Sequence, residues 1–136
     1  MNLFEELKCL LFKLELENID YALCGGLAMA VYAFPRATLD IDMMIEGGDL
    51  DRLKTLAAQL GFSWDAGMMD LGQGRIQIYW LTKLEKNGTE PLALDLLLVS
   101  DATRHAWNTR KRIHSKDGQL SVISPEGLME LKSLRD

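Results

Sequence analysis

The chain has 136 residues, of which 48% are hydrophobic and 26% are charged, and its formal net charge is −5. This length allows one globular core and is too short for two ordinary domains, so we expect a single domain over residues 1–136. The acidic balance disfavours nonspecific attachment to nucleic acid through a broad basic surface, because such binding neutralises many phosphates.

The first residues give no sign of export or membrane insertion. Residues 1–17 lack a basic start, a continuous apolar centre and a small-residue cleavage site, so they do not resemble a secretory signal. Charges interrupt every apolar run well before it could cross a bilayer. We therefore expect a cytoplasmic protein without a membrane partner. The cysteines, Cys9 and Cys24, each lie in an apolar stretch, which predicts reduced, buried thiols rather than a disulfide.

The first predicted elements are a helix, a strand and a second helix. Leucines recur at helical spacing from residue 3 to residue 14, which predicts an amphipathic helix that ends near Asn18. Residues 21–24 are typical of a short buried strand, and they lead into Gly25 and Gly26. The composition of residues 27–32 is again helical, so the local plan is strand, glycine turn, helix.

A strand that carries two acids follows a proline-containing loop at residues 34–38. In residues 39–45, Asp40 and Asp42 interrupt an otherwise apolar run. Side chains two positions apart on a strand point to the same face, so both carboxylates can converge while Ile41 turns into the core. Burying carboxylates is costly without a cation, and the pattern therefore favours a metal site. The alternative is a strand whose polar edge happens to carry two acids.

A helix and a hairpin come next. Asp49 is placed to cap a helix that ends at Gly61. Residues 76–80 alternate as a half-buried strand does, residues 87–88 are an Asn-Gly turn signal, and residues 92–99 form an apolar strand, so we predict a hairpin. A Ser-Pro-Glu sequence at residues 124–126 then favours the start of a final helix.

Asp95 lies in the middle of the last of these strands and is a third acid in an apolar setting. Three neighbouring carboxylates repel one another unless a divalent cation neutralises them, and magnesium prefers such oxygen ligands. We predict that Asp40, Asp42 and Asp95 hold two magnesium ions, and that Asp95 could act as a general base.

The phosphates of a nucleotide are the natural complement to such an ion site. Backbone N–H groups can approach phosphates closely at Gly25 and Gly26, because no Cβ intervenes. Arg36 could pair with phosphate oxygens or could equally form an ion pair within its loop. The predicted reaction is nucleotidyl transfer from a nucleoside triphosphate such as ATP to a hydroxyl group.

Other candidate residues have simpler interpretations. The basic cluster could contact a polyanion, but we favour a solvated helix and loop; it comprises Arg104, Arg110, Lys111, Arg112, His114 and Lys116. The tryptophans, Trp64, Trp80 and Trp107, could stack on a base, although scattered aromatic residues more often close cores. Residues 72–74 lack the ending of a P-loop and are predicted to form a turn.

The motif order resembles the nucleotidyltransferase superfamily that includes DNA polymerase beta. Residues 24–42, with Gly-Gly, Arg-x-Thr and Asp-x-Asp, are similar to AbiEii-type toxins and to aminoglycoside and lincosamide nucleotidyltransferases. The resemblance implies an α/β (α+β) fold, a mixed sheet with helices packed against it. It also places Gly25 and Gly26 on the phosphate-contacting turn and Asp95 on the third catalytic carboxylate. The helix that begins at Ser124 is similar to the superfamily's Ser-Pro-Glu helix. Compared with superfamily members, we expect the C-terminal helical part of this chain to be short.

The acceptor is left open by the sequence. A small molecule, a tRNA and a protein all present hydroxyl groups. A second hypothesis is a noncatalytic nucleotide-binding member of the same fold, for example one half of a toxin and antitoxin pair. Both hypotheses leave room for a protein partner or a homo-oligomer.

Overall fold

The computed structural model describes residues 3–32, 40–84, 91–115 and 118–135. In these ranges the helices are α1 Leu3–Leu16, α2 Gly25–Val31, α3 Leu50–Gln59, α4 Arg104–Asn108 and α5 Pro125–Arg135. The strands are β1 Ala22–Leu23, β2 Asp40–Ile45, β3 Trp64–Leu71, β4 Ile76–Lys83, β5 Leu92–Leu98, β6 Lys111–Ser115 and β7 Gly118–Val122. No helix within the described ranges has the length and apolar character that a bilayer crossing requires.

The described strands form one mixed sheet in the order β3-β4-β5-β2-β1-β7-β6. The pairs β2–β5 and β1–β7 are parallel, and the other neighbours are antiparallel. Helices pack on both faces, so the predicted α/β fold with a mixed sheet is confirmed. The antiparallel pairing of β4 with β5 agrees with the predicted hairpin, whose Asn-Gly turn at residues 87–88 lies outside the described residues.

One face of the sheet, which we call the core face, is packed by α1, α2 and α3. From β2 it receives Ile41, Met43 and Ile45, all of them fully buried. The leucines of α1 at positions 7, 10, 11 and 14 cover these side chains. As the alternation of β2 predicts, Ile41 turns into this core.

The opposite face carries Asp42 and Asp95, and we call it the carboxylate face. Its apolar part contains Met44 and Leu97 from the same two strands, together with Trp107 of α4 and Leu131 of α5. Each central strand thus contributes apolar side chains to both faces and carboxylates to only one of them.

Helix α5 is held at both ends. The hydroxyl of Ser124 accepts a hydrogen bond from the backbone N–H of Gly127 at 3.0 Å, as predicted for a helix that begins at Pro125. At the other end, the Arg75 guanidinium donates to the carbonyl oxygens of Gly72, at 2.8 Å, and of Leu134, at 2.9 Å. This arginine therefore ties the end of α5 to the predicted turn between β3 and β4.

Two expectations about the surface are corrected. Cys24 is buried as predicted, but Cys9 is exposed because it lies on the outer side of α1, away from the buried leucines. The basic cluster lies only partly on the predicted helix and loop. Arg104 begins α4 and Arg110 follows it, but Lys111, Arg112 and His114 belong to the edge strand β6, and Lys116 lies outside the described residues. Charged side chains on an edge strand discourage pairing with other chains.

Candidate active site

Two of the predicted acids meet on the carboxylate face. Strands β2 and β5 are parallel neighbours, and their register sets Asp42 directly beside Asp95. The two side chains are hydrogen-bonded to each other. Residues far apart in the sequence are thereby brought together by the pairing of two central strands, whose register is fixed by their buried apolar side chains.

The electrostatics of this pair favour one shared proton. Burial, the hydrogen bond with Asp95 and the charges of Asp95 and Asp40 raise the pKa of Asp42 to about 8. Burial and the charge of Asp40 also raise the pKa of Asp95, while its hydrogen bond with Asp42 acts in the opposite direction. Near neutral pH the pair therefore holds one proton between its two carboxyl groups, because both cannot be ionised side by side without cost.

Asp40 lies one step earlier on the same face of β2, opposite Ala93 of β5. Its charge reaches both members of the pair, because it raises the pKa of Asp42 and of Asp95. Among the described residues no three His, Cys, Asp or Glu side chains are already gathered as a metal cluster. In this arrangement Asp42 and Asp95 are the contacting pair, and Asp40 acts on them through its charge.

Gly25 is required by its closeness to Asp42. Its φ angle is +62°, and a Cβ at this position would lie 2.3 Å from Oδ2 of Asp42. The backbone N–H of Cys24 also donates to the carbonyl oxygen of Asp42 at 3.0 Å. The turn that precedes α2 is therefore in direct contact with the carboxylate pair, and Gly26 follows it in the first turn of α2.

A cavity of about 650 Å³ opens beside the pair, between the sheet, α2 and α5. Its lining comprises Cys24, Gly25, Met29, Tyr32, Asp42, Ile78, Asp95, Leu97, Pro125, Leu128, Met129, Leu131, Lys132 and Arg135. A volume of this size is within the usual range for small-molecule sites. Carboxylates form part of one wall, and cationic side chains of α5 form part of another.

Two cations of α5, Lys132 and Arg135, line the cavity and are not among the site residues predicted from the sequence. The charge of Arg135 lowers the pKa of both Asp42 and Asp95, so it is electrostatically coupled to the pair. The i,i+3 spacing of Lys132 and Arg135 is the sequence signal that places both on one side of α5.

Of the remaining candidates, Arg36, a predicted phosphate ligand, lies outside the described residues. Cys24 lines the cavity, but burial and the charges of Asp42 and Asp95 raise the pKa of its thiol well above the ordinary value. Its thiol therefore stays protonated and is a poor nucleophile.

The architecture is similar to two solved nucleotidyltransferase structures. A proposed nucleotidyltransferase from Thermotoga maritima matches with a TM-score of 0.65 and 10% sequence identity, over 96% of this chain and 81% of that chain. The antibiotic-resistance factor ANT(2'')-Ia matches with a TM-score of 0.57 and 16% identity, over 92% of this chain and 66% of its own length. No protein-family model and no curated protein sequence matches the chain. The fold is thus the nucleotidyltransferase fold that the motifs predicted.

Proposed function

We propose that the protein is a metal-dependent nucleotidyltransferase. The observation that carries this proposal is the contact between the half-buried Asp42 and Asp95 on the wall of a cavity that is also lined by Lys132 and Arg135 of α5. A pair of acids alone would suit many sites. Its position beside a glycine turn, in a nucleotidyltransferase fold, supports this reaction over the others.

The carboxylate pair has the donor chemistry that suits magnesium. Two oxygen-bearing side chains that share a proton can hold a divalent cation in place of that proton, and Asp40 on the same strand face would add a third carboxylate. We assign these three acids as ligands of two magnesium ions. Bound magnesium would neutralise charge on the phosphates and favour ionisation of the acceptor hydroxyl.

The donor nucleotide has a complementary surface across the cavity. We assign the backbone N–H groups at Gly25 and Gly26 to contacts with phosphate oxygens. Lys132 and Arg135 supply positive charge from α5, where a triphosphate can lie between them and the acids. We assign ATP or another nucleoside triphosphate as the donor, and Arg36 remains a candidate phosphate ligand.

The proposed reaction forms one bond to phosphorus and breaks another. The acceptor hydroxyl oxygen bonds to the α-phosphorus of the triphosphate while the bond from that phosphorus to the bridging oxygen breaks. Pyrophosphate leaves with the electron pair of the broken bond. We assign Asp95 as the general base that takes the hydroxyl proton, because a carboxylate beside the reacting oxygen can accept it.

Transfer of label from an α-labelled triphosphate tests this function. We expect purified protein with magnesium to release pyrophosphate and to label an acceptor. Asp42→Asn and Asp95→Asn should each lower the rate of nucleotidyl transfer at least about 1,000-fold, because each removes a carboxylate ligand of the proposed magnesium site.

Controls separate catalysis from binding. Asp70→Asn, on the edge strand β3, changes an acid of the same type away from the cavity and should leave the rate unchanged. If the triphosphate binds with magnesium but no acceptor is labelled, the protein is instead a nucleotide-binding member of the fold. Transfer that persists in Asp42→Asn would contradict the proposal directly.

A further inference from the structure

Two tryptophans lie on the carboxylate face beside the acids. Trp80 of β4 is the direct register partner of Asp95, and Trp64 of β3 is the partner of Thr82, two residues further along β4. Directly opposed residues of antiparallel strands share a face, with Cβ atoms about 5 Å apart. A row across the sheet therefore runs from Asp42 through Asp95 to Trp80.

Both indoles are accessible, in contrast to the third tryptophan. Trp64 is 57% exposed and Trp80 is half-buried, whereas Trp107 is 4% exposed and lies under the Arg110 guanidinium at 4.1 Å. The edge-strand neighbour of Trp80 is Gly67, where a Cβ would find no atom within 4 Å. This glycine leaves open space on the strand next to Trp80.

The tryptophans lie outside the proposed donor site. The cavity extends from Asp42 and Asp95 towards Gly25 and α5, and along the strands towards Leu97 and Ile78, whereas Trp80 and Trp64 lie across and beyond the acids on β4 and β3 and do not contribute to its lining. In phosphoryl transfer the attacking oxygen enters on the side of phosphorus opposite to the leaving oxygen. If the triphosphate occupies the cavity, the exposed surface of β4 and β3 beside Asp95 is open to an acceptor.

The charge of this surface limits what can bind there. Among the described positions of β3, β4 and β5 that point to the carboxylate face, there is no lysine and no arginine. The charged side chains that the described parts of β2, β3, β4 and β5 place on this face are acids, Asp40, Asp42 and Asp95, while the cations Lys132 and Arg135 of α5 lie on the cavity side. Because like charges repel, a phosphate-bearing acceptor is disfavoured, and a neutral or cationic one is favoured.

We propose that Trp64 and Trp80 form the acceptor platform, on which a ring next to the reactive hydroxyl stacks. The acceptor class is a small molecule without phosphate charge whose ring has an apolar face, such as a sugar or an aromatic alcohol. The inference rests on the proposed nucleotidyl transfer, because only a transferase has an acceptor. Binding of a ring to the two tryptophans can nevertheless be measured without activity. Indole rings bind such faces through dispersion and stacking.

Indole N–H signals in an NMR titration test the platform without nucleotide or magnesium. The chain has three tryptophans, which single Trp→Phe variants assign. The probes are methyl glucoside and p-cresol, each compared with a phosphorylated counterpart, glucose 6-phosphate and 4-methylphenyl phosphate. We expect the signals of Trp64 and Trp80 to shift saturably with one uncharged probe, while the Trp107 signal stays constant.

The identity of the effective probe distinguishes a sugar acceptor from an aromatic one. The platform is ruled out if neither uncharged probe moves the Trp64 and Trp80 signals. It is equally ruled out if the phosphorylated counterparts bind as tightly as the uncharged probes.

Steady-state kinetics with a labelled acceptor then separate this inference from the proposed function. Trp64→Ala and Trp80→Ala should each raise the acceptor KM by roughly tenfold, as for loss of one stacked ring, with unchanged affinity for the triphosphate. Trp80→Phe should recover most of the affinity. Phe12→Ala is the matched control, because Phe12 is an aromatic residue of α1 that is 64% exposed and far from this face in the fold.

The failures of the two proposals are distinguishable. Transfer with an unchanged KM in both alanine variants would refute the platform and leave nucleotidyl transfer intact. Saturable shifts of the indole signals without any transfer would refute the enzymatic proposal and leave a ring-binding surface.

Discussion

The two faces of strands β2 and β5 differ in what they bury. On the core face, Ile41 and Leu94 are fully buried among leucines of the helices. On the other face, the same strands carry Asp42 and Asp95, which are half-buried, and this burial raises the pKa of each and disfavours its ionised form. A single residue step along either strand therefore separates a side chain that stabilises the fold from one that destabilises it when charged.

Because alternate side chains of a strand point to opposite faces, the residues that stabilise the fold are separated from those that carry the proposed chemistry. Substitutions on the core face should change the free energy of unfolding and spare the proposed chemistry. Substitutions on the carboxylate face should change the proposed chemistry with less effect on the free energy of unfolding. Measuring the free energy of unfolding and the transfer rate for neighbouring residues tests whether the two faces differ in this way.

The largest expected effect on stability is that of Leu94→Ala. Leu94 is fully buried on the core face, so its truncation should lower the free energy of unfolding by about 2–5 kcal/mol. Urea denaturation measures this change. Its neighbour Asp95 provides the comparison, since Asp95→Asn should not destabilise the protein. Equal losses in the two variants would contradict the division between faces.

Gly25→Ala should have the next largest effect. The alanine must adopt a φ of +62° and place its Cβ against the Asp42 carboxylate, so we expect a loss of about 2–4 kcal/mol in stability. Gly74→Ala is the matched control, because Gly74 also has a positive φ, of +84°, but open space around it. The control should lose only about 1 kcal/mol. Equal losses would show that contact with Asp42 contributes nothing.

The pH dependence of stability should come next. The pKa of Asp42 is raised from 3.8 to about 8, so between these values the folded state holds a proton that the unfolded state has released. Stability of metal-free protein should therefore fall as pH rises from about 4 to about 8, by roughly 1–3 kcal/mol relative to Asp42→Asn. Urea midpoints in EDTA at the two ends of this range measure it.

Magnesium provides a second readout of the same group. At about pH 8 it should restore the stability of the wild-type protein and should have little effect on Asp42→Asn, because a ligand that binds only the folded state stabilises it. Wild-type stability that rises with pH in EDTA would contradict the assignment of Asp42.

The smallest effect is expected for Arg135→Ala. Its charge faces the carboxylate pair and the cavity, so its loss should weaken triphosphate binding by roughly threefold to tenfold. Calorimetry at low and high salt measures this, and the effect should shrink as salt screens the charge. Arg52→Ala is the control, because Arg52 pairs with Asp49 and Glu17 away from the cavity. A similar loss of affinity in the control would remove Arg135 from the site.

Much of the fold could be predicted from the sequence because its central elements have strong local signals. The leucine pattern of α1, the strand of Asp42 and the Ser124 cap of α5 all form as expected. The closeness of Asp42 to Asp95 follows from two apolar strands that must bury both faces. The edge strands were not predicted. Trp64 begins a strand, β3, that is mostly exposed and interrupted by a bulge, so it lacks alternation.

Other parts of the site depend on contacts that no local pattern contains. The contribution of Arg135 requires α5 to pack across the carboxylate face. The neighbourhood of Trp80 and Asp95 depends on the register of β4 against β5. The outward position of Cys9 depends on which side of α1 meets the sheet. Such relations are set by tertiary packing, which sequence spacing alone does not determine.

The attachment of α5 at its two ends has a consequence for ligand selection. Ser124 caps the start of the helix, and Arg75, in the turn between β3 and β4, donates a hydrogen bond to a carbonyl oxygen of its last turn. Contacts at both ends oppose tilting of the helix when ligands of different thickness bind. Adjustment to a ligand is then left to the long, flexible side chains of Met129 and Lys132, which line the cavity, and the distance between helix and sheet limits which ligands fit.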